Sequence, residues 1–156
     1  MFSKAFEDLV IGDVARSRAR TLTETDVVNF CALTGNWLSI HADAEFSKSS
    51  KFGQRVVQGG LVFVIGNALF GFDEKVIAAF YGVDNLRFVR PTFIGDTIHS
   101  VREITELRPK DEHYGVASAR LEVRNQREEA VVICDFRILV HRRSAAAAMS
   151  VQGEGA

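Results

Sequence analysis

The feature that most constrains the fold is a change in the period of the apolar residues midway along the chain. Over Arg55–Phe72 apolar side chains fall on nearly every helical face, whereas from Phe80 onward they alternate with a period of two. A helix that is apolar all round is typical of a buried helix, and alternation is typical of strands. Helices that precede strands without βαβ alternation predict the α+β class. We expect a single domain, an antiparallel sheet of five or six strands wrapped around a long central helix.

The element boundaries follow from turn and capping residues. Five later strands are predicted between turn residues, at Ala79–Tyr81, Asn85–Arg90, Asp96–Leu107, His113–Asn125 and Ala130–His141. A first strand is expected near Asp13–Leu22. Thr23, followed at the third position by Asp26, predicts a capped helix that runs to about Leu33. A second short helix is expected over 43–49.

The composition narrows the class of protein. The 156 residues suit one domain, and 47% hydrophobic with 25% charged residues is ordinary for a globular fold. Nineteen basic and twenty acidic residues leave a net charge of −1, which gives no positive field for nucleic acid or an anionic membrane. The N-terminus has no apolar run of the kind that signal peptides contain, and the longest apolar stretch is too short to span a bilayer. A cytoplasmic protein is expected.

The sequence also predicts where the domain ends and which kinds of site it contains. Residues 1–143 are expected to form the domain and residues 144–156, which are rich in alanine and glycine, a flexible tail. Cys31 and Cys134 are far apart in apolar surroundings, which favours two buried free thiols. No histidine or cysteine has a metal-ligand partner at a suitable spacing, and no glycine-rich phosphate loop occurs. We expect no metal and no cofactor.

The segment that suggests chemistry is Leu33–Asp43, between the predicted end of one helix and the start of the next. Loops held by a rigid scaffold are where functional residues concentrate. Gly35 permits a sharp turn after the first helix, and His41 follows on a strand-like or irregular run. An imidazole can act as a base near neutral pH, although a single loop histidine can equally be a surface residue.

Three segments resemble one family. Gly35-Asn36-Trp37-Leu38-Ser39-Ile40-His41 is similar to a Gly-Asp-x-Asn-Pro-(Ile/Leu)-His signature, and 52–59 (Phe-Gly-Gln-Arg-Val-Val-Gln-Gly) to a Phe-Gly-x-x-(Ile/Val)-(Ala/Val)-His-Gly run. The stretch 86–98, Leu-Arg-Phe-Val-Arg-Pro-Thr-Phe-Ile-Gly-Asp-Thr-Ile, is similar to an arginine-proline strand with a Gly-Asp turn. In these three segments the chain resembles the MaoC-like hydratase/dehydratase family of hot-dog-fold proteins. The resemblance covers about residues 6–141.

The resemblance implies an (R)-specific enoyl-CoA hydratase or dehydratase. In that family an Asp and a His hold a water molecule, and a backbone amide at the start of the central helix polarises the thioester carbonyl. His41 and Asn36 are therefore the candidate catalytic residues. The candidate substrate-binding residues are Gly35, Trp37, Ser39, Gln58, Gly59, Gly60, Arg87 and Arg90, of which an arginine is expected to meet the phosphates of the carrier. The implied substrate is a thioester of coenzyme A or of an acyl carrier protein.

The resemblance also implies a homodimer formed by pairing of sheet edges, with His41 of one chain close to the central helix of the other. An open sheet edge has to be paired or covered, and a two-fold dimer is the commonest closed solution. If the site is degenerate, the partner is instead expected to be a related chain with an intact Asp.

The chain departs from the family signature at three places. Asn36 stands where the family has Asp, Leu38-Ser39 replaces Asn-Pro, and Gln58 replaces the usual His. An amide cannot take up a proton. Three accounts are therefore open: His41 acts alone while Asn36 orients the water; Asp43, Ser39 or Gln58 has taken over, with hydrolysis or isomerisation as the reaction; or the chain binds without catalysis.

Overall fold

Six strands form one antiparallel sheet in the computed structural model, which describes residues 4–143. The predicted tail, residues 144–156, lies outside the described part. The strands are β1 (Val14–Arg16), β2 (Arg20–Thr21), β3 (Ile77–Phe88), β4 (Thr97–Pro109), β5 (Tyr114–Arg124) and β6 (Ala130–His141). Their order is β1-β4-β5-β6-β3, and β2 also pairs with β4. The α+β class and the number of strands agree with the prediction.

The helices precede most of the sheet in the sequence. After a 3-10 turn at Phe6–Asp8 they are α1 (Glu24–Thr34), α2 (Ser39–Ala42), α3 (Ala44–Lys48) and α4 (Gly59–Ala68). The predicted cap of α1 is confirmed, because the Thr23 side chain accepts from the Asp26 N–H while the Asp26 carboxylate accepts from the Thr23 N–H. Gly35 ends α1 in the left-handed region, with φ of 71°, where glycine has no steric penalty.

Helix α4 packs on the concave face of the sheet. Its residues Leu61, Val62 and Ile65 belong to one buried cluster together with strand residues such as Val123 and Val132. A Cβ atom placed on Gly66 would lie 2.5 Å from Cγ2 of Val123. The glycine therefore permits a close approach of helix and sheet.

The central helix is shorter and less enclosed than predicted. It spans ten residues instead of the run 55–72, because Val56 and Val57 bond in extended geometry to Ile40 and Thr92. Val64 is 56% exposed, so one face of α4 is open although the sequence is apolar there.

Strand β3 is continuous where a turn was predicted at Gly82–Asp84. The pairing with β6 continues through these residues, from Ile77↔Val140 to Phe88↔Val132. Three register shifts absorb the irregular sequence, and one of them is associated with Asn85 at φ of 52°. The predicted first strand is likewise interrupted, as β1 and β2.

The interior also contains two cysteines and one arginine. Cys31 and Cys134 are buried free thiols, as predicted. Arg102 is also buried, a feature that the alternating pattern of β4 did not reveal. Its guanidinium donates to the Asn67 carbonyl at the end of α4 and stacks on Phe70 and Phe136, and burial lowers its pKa to about 9.

Within residues 4–143 no helix is both long and apolar enough to cross a membrane.

Candidate active site

A cavity of about 460 Å³ lies where α2, the start of α4 and the ends of β3 and β6 meet. His41 contributes one wall, Gly59 and Val62 of α4 another, and Phe88, Arg90 and Val132 the side toward the sheet. Within the chain, His41 lies beside the start of its own helix α4. The expected position of His41 beside the central helix of a partner chain stays a prediction.

The imidazole of His41 is fixed by one hydrogen bond. Its Nδ1 lies 2.8 Å from the carbonyl oxygen of Val56, and the Val56 N–H in turn donates to the carbonyl of Ile40, 3.1 Å away. A carbonyl only accepts, so Nδ1 carries the hydrogen and Nε2 of the neutral ring holds a lone pair. His41 belongs to the short helix α2 and not to the strand-like run that was predicted. The ring is half-buried.

The start of α4 presents free helix donors to the same cavity. The first bond inside the helix runs from the Val62 N–H to the Gln58 carbonyl, 3.1 Å, and no side chain of the described residues caps the N-terminus. Gln58 is 2% exposed and its amide donates instead to Sγ of Cys31, 2.9 Å away. Uncapped N–H groups and the helix dipole give this end a partial positive charge, and Gly59 brings it to the cavity wall.

Two cations lie at the rim of the cavity. Arg90 lines it while its Nη1 donates to the Ala130 carbonyl at 3.1 Å. Lys51 also lines it, with its ammonium 4.9 Å from the centre of the Phe52 ring. Arg87 does not line the cavity, because its guanidinium donates to the carbonyl of Leu86. Sequence reasoning missed Lys51, since only the fold brings this surface lysine next to Arg90.

The other predicted site residues are not among those that line this cavity: Gly35, Asn36, Trp37, Ser39, Gln58, Gly60 and Arg87. Asn36 is half-buried, and its backbone N–H donates to Oγ1 of Thr34. Trp37 is more than half exposed. The structure therefore brings together His41, Gly59 and Arg90 from the predicted set.

No carboxylate lines the cavity among the residues that the structure describes. Asp43, considered as a substitute acid, caps α3 by accepting from the Phe46 N–H at 2.9 Å. Asp96 accepts from the Phe93 N–H and from the Gln126 amide, which makes it a turn residue, as predicted. In residues 4–143 no group of three His, Cys, Asp or Glu side chains is arranged to hold a metal ion. His41 is thus the one imidazole among the described residues that line this cavity.

Comparison with known proteins places this geometry in a family. Residues 7–125 match the MaoC like domain family. Protein MaoC of Klebsiella aerogenes is 41% identical over 98 residues, which are 62% of this chain and 29% of that protein. An (R)-specific enoyl-CoA hydratase of Rhodospirillum rubrum is 30% identical over 105 residues, which are 67% of this chain and 72% of that enzyme.

A solved structure agrees with the fold over most of its length. The monoamine oxidase regulatory protein from Archaeoglobus fulgius superimposes with a TM-score of 0.84 at 37% identity, and the match covers 89% of this chain and 95% of that one. The hot-dog architecture expected from the sequence is confirmed. The chain spans under a third of Klebsiella protein MaoC, so that protein's overall activity does not transfer directly. Together, the family match and the sheet wrapped around α4 show that this chain belongs to the MaoC-like domain family of hot-dog proteins.

Proposed function

We propose that the protein is an acyl-thioester hydratase/dehydratase of the (R)-specific enoyl-CoA hydratase type, with His41 as its acid and base. The observation that carries the proposal is the fixed tautomer of His41, whose Nδ1 donates to Val56 and leaves Nε2 with a lone pair. The start of α4 at Gly59 lies in the wall of the same cavity. The similarity to an (R)-specific enoyl-CoA hydratase supports the choice of reaction.

The proposed reaction uses two groups, the imidazole of His41 and the backbone N–H of Gly59. The thioester carbonyl accepts a hydrogen bond from the N–H of Gly59, where the helix dipole stabilises the negative charge that develops on the oxygen. Nε2 of His41 takes a proton from a water molecule as the water oxygen bonds to the β-carbon. The protonated imidazole then gives its proton to the α-carbon, and the carbonyl re-forms. Dehydration is the reverse, and one histidine serves both transfers.

Asn36 is proposed to act through hydrogen bonds only. Its amide cannot take up a proton, and the cavity wall contains no carboxylate within the described residues. These points favour the account in which His41 alone is the acid and base. Asn36 does not line the cavity of the single chain, and its proposed part, to orient the water, follows from its place in the family motif. Loss of one general base typically costs about 10²–10⁴-fold, so we expect a slower enzyme than relatives with an intact Asp.

The carrier is proposed to be coenzyme A or an acyl carrier protein. Both present a phosphate on the arm that ends in the thioester, and Arg90 and Lys51 line the mouth of the cavity. Guanidinium and ammonium groups form charge-assisted hydrogen bonds with phosphate oxygens. Trp37, Ser39 and Gly60 remain candidate contacts for this arm.

A homodimer is proposed through strand β3. This strand has twelve residues, and among residues 4–143 it pairs on one side only, with β6. Phe80, Tyr81 and Phe88 on it are exposed, and an unpaired strand edge with apolar side chains favours association. We also propose a cytoplasmic location.

The reaction can be tested by mixing the protein with crotonyl-CoA and following the enoyl absorbance and free thiol together. Loss of enoyl absorbance without thiol release is expected. Release of thiol would identify a thioesterase instead. No change in either signal, with crotonyl-CoA bound, would identify a non-catalytic binding subunit, in which case Asn36→Asp should introduce activity.

A further inference from the structure

The floor of the cavity is made of core residues. Four valines line the cavity and also belong to the buried cluster beneath α4: Val57, Val62, Val131 and Val132. Each is at most 4% exposed. Side chains with a branched Cβ are stiff, and a packed interior does not yield easily to an added group. The cavity therefore ends at the hydrophobic core, without a channel that continues below it.

On the side toward β3 the cavity is bounded by Phe88. A Cβ atom built on Gly59 would lie 2.6 Å from Cδ1 of Phe88, so the Phe88 ring is in contact with the first residue of α4. Beyond it, Phe63 and Leu86 pack against both core clusters. A second apolar cavity, of about 550 Å³, lies at the far end of α4 near Phe72, and it shares no lining residue with the first.

From the buried valine floor and the contact of Phe88 with Gly59, and resting on the proposed thioester function, we propose that the protein accepts only short acyl groups such as crotonyl and butyryl. Val62 at the floor and Phe88 at the side set the limit. The cavity, about 460 Å³, is toward the small end of the roughly 300–1,000 Å³ typical of ligand sites. It must also hold the sulfur-linked end of the carrier, which leaves little room for a longer chain.

Binding measures this limit independently of catalysis. The full chain would be titrated calorimetrically with saturated thioesters, which cannot be hydrated. Butyryl-CoA is expected to bind at least roughly tenfold more tightly than decanoyl-CoA, because an ill-fitting group in an apolar pocket has effects of about this size. Equal or tighter binding of decanoyl-CoA would overturn the short-chain proposal and leave the thioester function intact. Binding of neither would remove the thioester function and this proposal with it.

A matched pair of valine variants tests the floor. Val62→Ala deepens the cavity, while Val123→Ala removes the same two methyl carbons from the same core cluster at a position that does not line it. The two side chains are 1% and 0% exposed. Both variants should lower the melting temperature, and only Val62→Ala should raise the affinity for hexanoyl-CoA relative to butyryl-CoA, by roughly tenfold. If the affinity for hexanoyl-CoA relative to butyryl-CoA is the same in the two variants, Val62 does not form the floor of the acyl site.

A pair of phenylalanine variants tests the side wall. Phe88→Ala opens the space beside Gly59, while Phe46→Ala removes a ring of similar exposure, 52% against 53%, from α3. Phe88→Ala should relax the preference for butyryl-CoA over hexanoyl-CoA, again by roughly tenfold, and Phe46→Ala should leave it unchanged. A preference that survives Phe88→Ala would show that this ring does not limit the acyl group.

Discussion

The imidazole Nδ1 of His41 donates to the carbonyl oxygen of Val56 across 2.8 Å. This one bond ties the segment that carries His41 to the chain that leads into α4, because Val56 is three residues before Gly59. It also decides the tautomer, since a carbonyl accepts only from a protonated nitrogen. The orientation of the His41 ring is therefore set by a backbone carbonyl.

Asn36→Asp tests how much of the family's chemistry has been lost. If His41 acts alone, restoring the carboxylate that the family uses should raise kcat, by up to the roughly 10²–10⁴-fold that loss of one general base costs. Asn36→Ala should lower kcat by removing the amide that orients the water. Steady-state hydration of crotonyl-CoA measures both. Activity that appears only in Asn36→Asp, with none in the wild type, would instead favour the non-catalytic account.

Neighbouring glycines at the start of α4 should respond in opposite ways. Gly59→Ala forces a Cβ to 2.6 Å from the Phe88 ring, and overpacking of this kind costs about 1–3 kcal/mol of unfolding free energy. Gly60→Ala meets only Phe30, at 3.5 Å, and should add up to about 1 kcal/mol because alanine favours the helix. Urea unfolding of both variants measures the contrast. Equal effects would contradict the packing of Phe88 on Gly59.

The pH dependence of stability should include a contribution from Glu24. The hydrogen bonds from Arg55 hold the pKa of the Glu24 carboxyl below its ordinary value. A lowered carboxyl pKa stabilises the fold above the unfolded value, about 4.3, and this contribution is lost as the pH falls through the folded pKa. Glu24 is half exposed, so the effect should be below about 1 kcal/mol. Glu24→Gln should destabilise the protein at pH 7 and much less at pH 3; equal destabilisation at both would refute the ion pair.

The two edges of the sheet allow a controlled test of the dimer. Phe80 on β3 and Val14 on β1 are both exposed, and these strands are the opposite edges. A lysine on an edge strand opposes pairing with another chain. Phe80→Lys should convert a dimer into a monomer in sedimentation analysis, while Val14→Lys should leave the dimer intact. A monomeric wild type, or dissociation by Val14→Lys alone, would rule out association through β3.

The sequence indicated the fold more completely than the site. The period-two pattern located β6 at Ala130–His141 as observed, and Thr23 with Asp26 located the start of α1, because both signals are local. Local patterns failed at Gly82, where pairing with β6 overrides the turn preference. The alternating pattern of β4 does not indicate that Arg102 is buried, since its burial depends on Asn67 and Phe70, which are distant in sequence.

The residues of the candidate site also include some that the sequence indicated and some that it did not. His41 and Gly59 could be singled out because each occupies a recognisable position in a short motif. Lys51 and Phe88 could not, because only folding brings them to the same cavity. The wall also omits Asn36, although the spacing of the motif placed it in the site.

The most direct test of the account is the hydration of crotonyl-CoA by His41→Ala, beside His113→Ala, which removes an exposed histidine. With both variants folded by circular dichroism, His41→Ala should lose about 10²–10⁴-fold in kcat/KM, as expected for removal of the general base, and His113→Ala should match the wild type. A His41→Ala variant with wild-type kcat/KM would show that the imidazole is not the acid and base of this site.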